Sequence, residues 1–217
     1  MPRRSDEFLQ IAFPTGFMTT AYPVQNPLSR FNRLYAQAQK LDRAVLPEPN
    51  AMSLATVGMS GNPSVRIVLL KSVDERGFVF YTNLDGRKGR ELRTHPVAAI
   101  CFHWAHLEVQ VRAEGIVEQV SNDEADAYFA TRPRESQIGA WASIQSQPIE
   151  HASDLADRFR QYETEFEGRE VPRPSFWSGF RLRPSRIEFW KSRPGRLHER
   201  HLYTRSGESW TMETLYP

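Results

Sequence analysis

The sequence predicts a mainly β protein with peripheral helices, an α+β fold built on an antiparallel barrel that is closed or partly open. Three observations carry that prediction. Apolar runs of strand length recur from Met52 onward, separated by turns short enough for hairpins. One of them, "EVQVRAEGIVEQV", sets Val109, Val111, Ala113 and Ile116 toward one face and Gln110 and Arg112 toward the other, as a barrel wall requires. Helical periodicity is confined to a few separate stretches, so the helices flank a sheet whose closure removes exposed edges.

Residues 1–25 mix Pro, Thr and scattered aromatics without a period and read as an N-terminal arm; residues 26–217 read as a single domain. Asn26 before Pro27 is a helix-start signal. Leu28, Phe31, Leu34, Tyr35, Ala38 and Leu41 follow at helical spacing until "LPEPN" stops them. Strands come next in "MSLATVG", "SVRIVLLKSV" and "FVFYTN", with turns at Gly61-Asn62-Pro63 and from Asp74 to Gly77. "LDGRKGRELRTHP" reads as a turn and a short helix. "VAAICFHW" and "LEVQVRAEGIVEQV" are two strands around a tight corner at Ala105-His106. Ser121 and Glu124 form a capping box opening a helix that Arg132-Pro133 stops. Another helix runs from Ser153 to Gly168, with Leu155, Phe159, Tyr162 and Phe166 on one stripe. "SGFRLRP", "RIEFW", "RLHERHLYTR" and "SWTMETLYP" are the closing strands, the last two joined at Ser206-Gly207.

Composition fits this fold and excludes several functions. The 217 residues, 40% hydrophobic and 25% charged, are enough for a sizeable core. Lys plus Arg number 28 against 26 Asp plus Glu, a net charge of +2. An anionic ligand must then be held by a local cluster, and a dedicated nucleic-acid binder is disfavoured. The single cysteine, Cys101, excludes an intramolecular disulfide, fits a reducing compartment and reads as a small buried hydrophobe. "MPRRSDEFLQIAF" has no signal-peptide pattern, and no apolar run is long enough to span a bilayer. The expectation is a cytoplasmic protein without a membrane partner.

Basic and polar side chains cluster at a few places. In "RIVLLK", Arg66 and Lys71 lie five apart and fall on opposite faces of a strand unless a bulge intervenes. Arg87 and Lys88 follow Asp85-Gly86 at a helix start, where backbone amides and two cations suit a phosphate, although the spacing is not that of a Walker loop. "YFATRPRESQIGAW" sets Tyr128, Arg132, Arg134 and Ser136 about a helix end, a phenol, guanidiniums and a hydroxyl suited to a second phosphate. The competing reading of each cluster is a solvated surface. "QSQ", Gln145 to Gln147, offers amides to the polar edge of a heterocycle. In "IEFWKSRPGRLHER", Trp190 ends a strand, and Arg196, His198 and Arg200 face one side if they alternate along the next. An indole flanked by cations suits a flat anionic ring. His103 and His106 lack partners at ligand spacing, so no metal is expected.

Taken together, these pieces resemble the pyridoxine (pyridoxamine) 5'-phosphate oxidase family. "RIVLLK", "FYTN", "RK", "LEVQV", "RPRESQIGAW", "QSQ", "PSFWSGFR" and "IEFWKSRPGRLHER" occur in that family's order and approximate spacing across residues 50–217. The resemblance implies an FMN-binding split β-barrel of antiparallel Greek-key type, a homodimer with FMN at the subunit interface. It implies flavin contacts at Arg66, Ile67, Val68, Leu69, Leu70, Lys71, Tyr81, Thr82, Arg87, Lys88, Gln110, Gln145, Ser146, Trp190 and Arg200. Contacts to a phosphorylated pyridine fall on Lys71, Tyr128, Arg132, Ser136, Arg196 and His198, the last two forming the catalytic pair. The implied reaction is oxidation of pyridoxamine or pyridoxine 5'-phosphate to pyridoxal 5'-phosphate, with O2 reduced to H2O2.

Some positions depart from the family pattern. Gly86 stands where serine is common, Lys191 where glutamine, histidine or glycine is usual, and Glu199 where aspartate is commoner. The family's basic, tyrosine-containing lid has no clear counterpart in "FPTGFMTTAYPVQ". That altered arm favours a rival substrate within the family, a reduced phenazine carboxylic acid. Tyr128, Arg132 and Ser136 favour the phosphate, for which a carboxylated tricycle has no counterpart. A non-catalytic flavin carrier on the same barrel is a third reading.

Overall fold

The computed structural model describes residues 26–217; the expected arm, residues 1–25, lies outside the described residues. Among the described residues nine strands form one antiparallel sheet: β1 (Ala51–Val57), β2 (Pro63–Leu69), β3 (Ser72–Asp74), β4 (Gly77–Asn83), β5 (Val97–Trp104), β6 (Val109–Gln119), β7 (Trp177–Lys191), β8 (Glu199–Ser206) and β9 (Ser209–Thr214). Flanking it are α1 (Pro27–Gln39), α2 (Arg87–Thr94), α3 (Asn122–Ala130), α4 (Arg134–Ala142) and α5 (Asp154–Glu165). The spatial order is β2-β1-β5-β6-β7-β4-β3, with β8 on β7 and β9 on β8. The two ends of that path, β2 and β3, are separated in the chain only by Leu70 and Lys71. The sheet must therefore curl until its ends approach, giving a partly open barrel. Leu70 donates its amide to Asn50 O (2.8 Å) and Lys71 donates to Val79 O (2.9 Å), so the break itself is pinned.

The expected start of α1 is present: Asn26 Oδ1 accepts from Leu28 N (2.9 Å), and Pro27 occupies the first turn. Phe31 inserts among Phe78 (4.9 Å between ring centroids), Phe102 (5.0 Å) and Trp104 (5.8 Å). A ring so enclosed contributes about 3–5 kcal/mol over alanine. α1 ends at Gln39, before the prolines expected to stop it. Asp42 begins a new turn there, its Oδ1 accepting from Ala44 N and its carbonyl from Val45 N and Leu46 N, so Leu41 lies outside the helix.

"SGFRLRP" and "RIEFW", expected as separate strands, are one 15-residue strand, β7. Ser185 is an extra residue opposite the Glu114/Gly115 step of β6, a bulge that carries the strand past Pro184. The first part of β7 pairs with β4, the second with β8, and β6 runs along the other edge. Because the extra residue belongs to β7, alternation in β6 is unbroken. Val109, Val111, Ala113 and Val117 are buried, and Ile116, expected with them, is 62% exposed on the outside. Cys101 alternates with buried Ile100 and Phe102 and sits half-buried on the outer face, a correction to its expected place in the core.

Pro133 ends α3, as expected, and also opens α4, which the sequence reading did not separate. Phe129, Ile138, Phe166, Val171 and Trp177 form a second cluster that holds α3, α4 and α5 to the start of β7. Leu155, expected on the buried stripe of α5, is exposed; Phe159, Tyr162 and Phe166 do the packing. Arg134 donates to Phe166 O (2.6 Å) and Arg169 O (2.9 Å), satisfying carbonyls at the end of α5. No helix among the described residues is long and apolar enough to cross a membrane.

Arg30 ties α1 to β8. It lies 4.3 Å over the Phe189 ring and reaches Tyr203 Oη (3.2 Å) and His201 Nδ1 (3.4 Å). Burial, and then the Arg30 charge, push the His201 imidazole below its ordinary 6.5. The folded protein therefore holds that proton less tightly than the unfolded chain. The stability of the neutral contact is complete above 6.5 and is lost progressively as pH falls below it. Denaturant unfolding at about pH 7.5 and about pH 5.5 should show lower stability at the acid value, and His201→Phe should flatten that dependence.

Candidate active site

A cavity of about 660 Å³ opens where the curled sheet meets the turn between α3 and α4. Arg66, Ile67, Val68 and Leu69 of β2 line it together with Lys71; β4 adds Tyr81 and Thr82. Lys88 enters from α2, Gln145 from beyond α4, and Tyr128, Arg132 and Ser136 from around the α3–α4 turn. Arg66 and Lys71 share the cavity because β2 stops at Leu69 and the chain resumes as strand at Ser72, so alternation does not carry across the break. Leu70, between them, turns its side chain into the core.

The start of α2 is built by side chains. Asn83 Oδ1 accepts from the amides of Asp85 (2.8 Å) and Gly86 (3.2 Å), which sets the turn. Lys88 Nζ donates to Gln145 Oε1 (2.7 Å) and Thr82 Oγ1 (3.1 Å). Burial, and then the charge of Arg66, hold this amine below the usual lysine range. Arg87 N donates to Ser146 Oγ (3.2 Å), bringing those two expected contacts together. Gly86 leaves room for Gln145: a Cβ there would stand 2.4 Å from Gln145 Oε1 and the amide would have to shift. Behind them lies Glu91, only 8% exposed, which sequence reasoning passed over. Burial alone would raise its carboxyl, but hydrogen bonds from Ser64, Thr56 and Arg87 outweigh it and bring it down to about 2. Its i, i+4 spacing from Arg87 was the signal in the sequence.

The opposite wall is aromatic. Tyr81 stacks on Tyr128 at 4.0 Å and 13°, and Trp177 lies 5.3 Å from Tyr81 at 8°. Gly179 permits this: a Cβ there would come within 2.7 Å of the Tyr81 ring. Arg132 rests 4.8 Å over the Trp177 ring, and burial lowers its pKa. Its Nη1 is buried without a hydrogen-bond partner, an arrangement that costs stability until an acceptor arrives. Arg134, singled out beside it in the sequence, points instead to the end of α5.

The remaining expected contacts form a second group. Gln110, Trp190 and Arg200 stand in register across β6, β7 and β8. Arg200 Nε donates to Glu188 Oε1 (2.7 Å) and Arg112 Nη2 to Glu188 Oε2 (2.5 Å). Burial pushes the Glu188 carboxyl up, but these two arginines outweigh it and leave it below the usual range. The His198 ring lies 4.6 Å from the Trp190 ring, and its Nδ1 accepts from Arg193 N (3.2 Å). A neutral His198 so placed carries its proton on Nε2. Arg196 does not alternate with His198 and Arg200 along a strand as expected. β8 begins at Glu199, and Arg196 lies in a turn with φ 61° beside Gly195 at 64°, where "RPGR" breaks the extended backbone. None of Gln110, Trp190, Arg196, His198 and Arg200 lines the cavity. Trp177 and Trp190 stand near opposite ends of β7, roughly 40 Å apart along the strand.

A sequence profile described as pyridoxamine 5'-phosphate oxidase matches residues 38–191. The chain belongs to the pyridoxamine 5'-phosphate oxidase family. A second profile, the pyridoxine 5'-phosphate oxidase C-terminal dimerisation region, matches residues 177–217. Relatives named pyridoxine/pyridoxamine 5'-phosphate oxidase include one from Myxococcus xanthus, 53% identical over 88% of this chain and 92% of its own. Another, from Cupriavidus taiwanensis, is 49% identical over 96% of this chain and 97% of its own. Among solved structures, PhzG from Burkholderia lata in complex with tetrahydrophenazine-1-carboxylic acid has a TM-score of 0.83 at 31% identity, covering 90% of this chain and 94% of its own. A pyridoxamine 5'-phosphate oxidase-related, FMN binding protein from Nostoc punctiforme shares the fold, with a TM-score of 0.69 at 17% identity and coverage of 87% and 96%. The curled sheet is thus the split barrel of this oxidase family.

The unpartnered Arg132 nitrogen leads to a stability test. In anion-free buffer Arg132→Met should stabilise the protein by about 1 kcal/mol in denaturant unfolding. Added inorganic phosphate should close that gap, because the guanidinium gains an acceptor that methionine cannot use.

Proposed function

We propose that this chain is an FMN-dependent oxidase that converts pyridoxamine or pyridoxine 5'-phosphate to pyridoxal 5'-phosphate, with O2 as electron acceptor and H2O2 as the second product. The observation that carries this reading is the buried, unpartnered Nη1 of Arg132, in a cavity shared with Tyr128, Ser136 and Lys71 as well as with Arg66 and Lys88. Two donor sets in one cavity suit two anions, a flavin phosphate and a substrate phosphate. Family membership, and relatives of that name at 53% and 49% identity, support the same substrate.

The residues present fit FMN. Arg66, Arg87 and Lys88 would hold its phosphate at the start of α2, where amide groups and the helix dipole favour an anion. Ile67, Val68, Leu69 and Leu70, with Tyr81, Thr82, Gln145 and Ser146, would border the rest. Bound FMN supplies the two-electron redox chemistry between substrate and O2. Lys71, Tyr128, Arg132 and Ser136 would grip the substrate phosphate, turning remote binding into alignment of the reacting carbon. Arg196 and His198 would press on the substrate ring, His198 offering Nε2–H because Nδ1 is committed to Arg193 N.

Two subunits would complete each site. With Trp177 and Trp190 near opposite ends of β7, the group formed by Gln110, Trp190, Arg196, His198 and Arg200 would close over the cavity of a second copy of the chain. The dimerisation profile over residues 177–217 supports a homodimer, and Val65, Ile67, Val97 and Ile116 are exposed apolar side chains available to such a contact. Residues 26–217 would act as one flavin-binding unit, and a reducing cytoplasm suits Cys101. The similarity to PhzG supports a second reading, a reduced phenazine carboxylate as substrate; the Tyr128, Arg132 and Ser136 group favours the phosphate.

Assays of H2O2 release separate the readings. Peroxide from pyridoxamine 5'-phosphate is expected; peroxide only from a reduced phenazine carboxylate transfers the assignment to the second substrate. Bound flavin with neither turnover would mark a carrier. Arg196→Ala should cut turnover roughly 100-fold with little loss of bound flavin, whereas Arg66→Ala should chiefly lower flavin content. Equal losses of both in either variant would contradict the division of roles.

A further inference from the structure

We propose that Glu91 is a positioning residue for the flavin phosphate, its single carboxylate fixing the guanidiniums of Arg66 and Arg87 from behind. The inference rests on the FMN reading above and adds a residue outside the contacts assigned to flavin or substrate. Glu91 stands one helical turn after Arg87 on α2. Oε1 accepts from Arg87 Nε (2.9 Å), while Oε2 accepts from Thr56 Oγ1 (2.5 Å), Ser64 Oγ (2.6 Å) and Arg66 Nη2 (3.4 Å). Arg66 is held further by Leu54 O (3.1 Å), Thr56 Oγ1 (2.5 Å) and Ser64 Oγ (2.5 Å), all through its terminal nitrogens. Among the described residues, that leaves Arg66 Nε and both terminal nitrogens of Arg87 for a ligand. Each arginine is anchored by one part and presents the other.

Two physical effects make this arrangement matter. Arg87 is 60% exposed along its side chain, so without the carboxylate it would sample many rotamers and lose that freedom only on binding. Three cations also crowd the positive end of a helix at Arg66, Arg87 and Lys88, and a buried anion offsets their repulsion before a phosphate arrives. The plainer alternative is that Glu91 merely docks α2 onto β1 and β2 through Thr56 and Ser64. Docking would support every flavin equally. Positioning would act on the phosphate alone.

Titrating the flavin-free full chain with FMN and with riboflavin, which lacks the phosphate, distinguishes the two by quenching of flavin fluorescence. Glu91→Gln keeps the shape and removes the charge. FMN affinity should fall about tenfold or more while riboflavin affinity stays unchanged. An equal loss for both flavins, or an FMN affinity that is unchanged or raised, overturns the proposal. Should Glu91→Gln fail to fold, Ser64→Ala takes its place, removing a hydroxyl shared by Glu91 and Arg66. It should weaken FMN about threefold and leave riboflavin alone, and no change, or an equal change in both, overturns the proposal. A parent protein without preference for FMN over riboflavin would instead remove the FMN reading, and the role of Glu91 with it.

Discussion

One strand with three partners sets the plan of this molecule. β7 hydrogen-bonds β6 along one edge, β4 over the first part of the other edge and β8 over the second. Ser185 bulges out next to Pro184, which itself stands in register with Gly115, and the strand continues beyond the proline. Everything at the start of β7, from Trp177 to the Gly179 contact with Tyr81, belongs to the cavity. Everything at its end, Trp190 with Gln110 and Arg200, belongs to the second group of polar residues. The spacing between the two groups is a covalent fact of one extended backbone, and side-chain movement cannot bring them together.

Charge is handled locally throughout. With a net charge of +2, the chain lacks a global field and instead sets buried carboxylates behind arginines. Glu91 stands behind Arg66 and Arg87, and Glu188 between Arg112 and Arg200. At Arg181 the arrangement is reversed: the guanidinium is buried, 2% exposed, and the more exposed carboxylates of Asp74 and Glu124 hold it. Burying an unpaired charge is strongly unfavourable, and the carboxyls of Glu91 and Glu188 stay below the usual range only through their partners. Arg132 is the contrast: its buried Nη1 has no acceptor, and its neighbours are rings.

Much of the fold was legible because local rules and tertiary packing agree. The Asn26-Pro27 start, the Ser121 cap and the hairpin at Ser206-Gly207 are each fixed by one or two residues and are all present. The failures lie where a partner decides. Pro184 reads as a strand end in isolation, and only the facing β6 reveals the bulge. Ile116 was assigned to the wrong side of an alternation that β6 in fact keeps. Arg196 was read as strand because its neighbours alternate, whereas a left-handed backbone at Gly195 and Arg196 needs the turn geometry to be seen. In the cavity, the cations and the phenol could be found by chemistry. Glu91 is harder to find, since its i, i+4 spacing from Arg87 in "RKGREL" looks like an ordinary solvated helix pair until β1 and β2 are folded against it.

The contact between Gly86 and Gln145 constrains how this site can change over time. Gln145 lies across the entrance to α2 and accepts from Lys88, in space that a methyl group at position 86 would occupy. The two positions are therefore not independent letters. A hydroxyl-bearing residue at 86 would push the Gln145 amide aside and loosen its hold on Lys88, so a change at 86 is felt first by the lysine's partner.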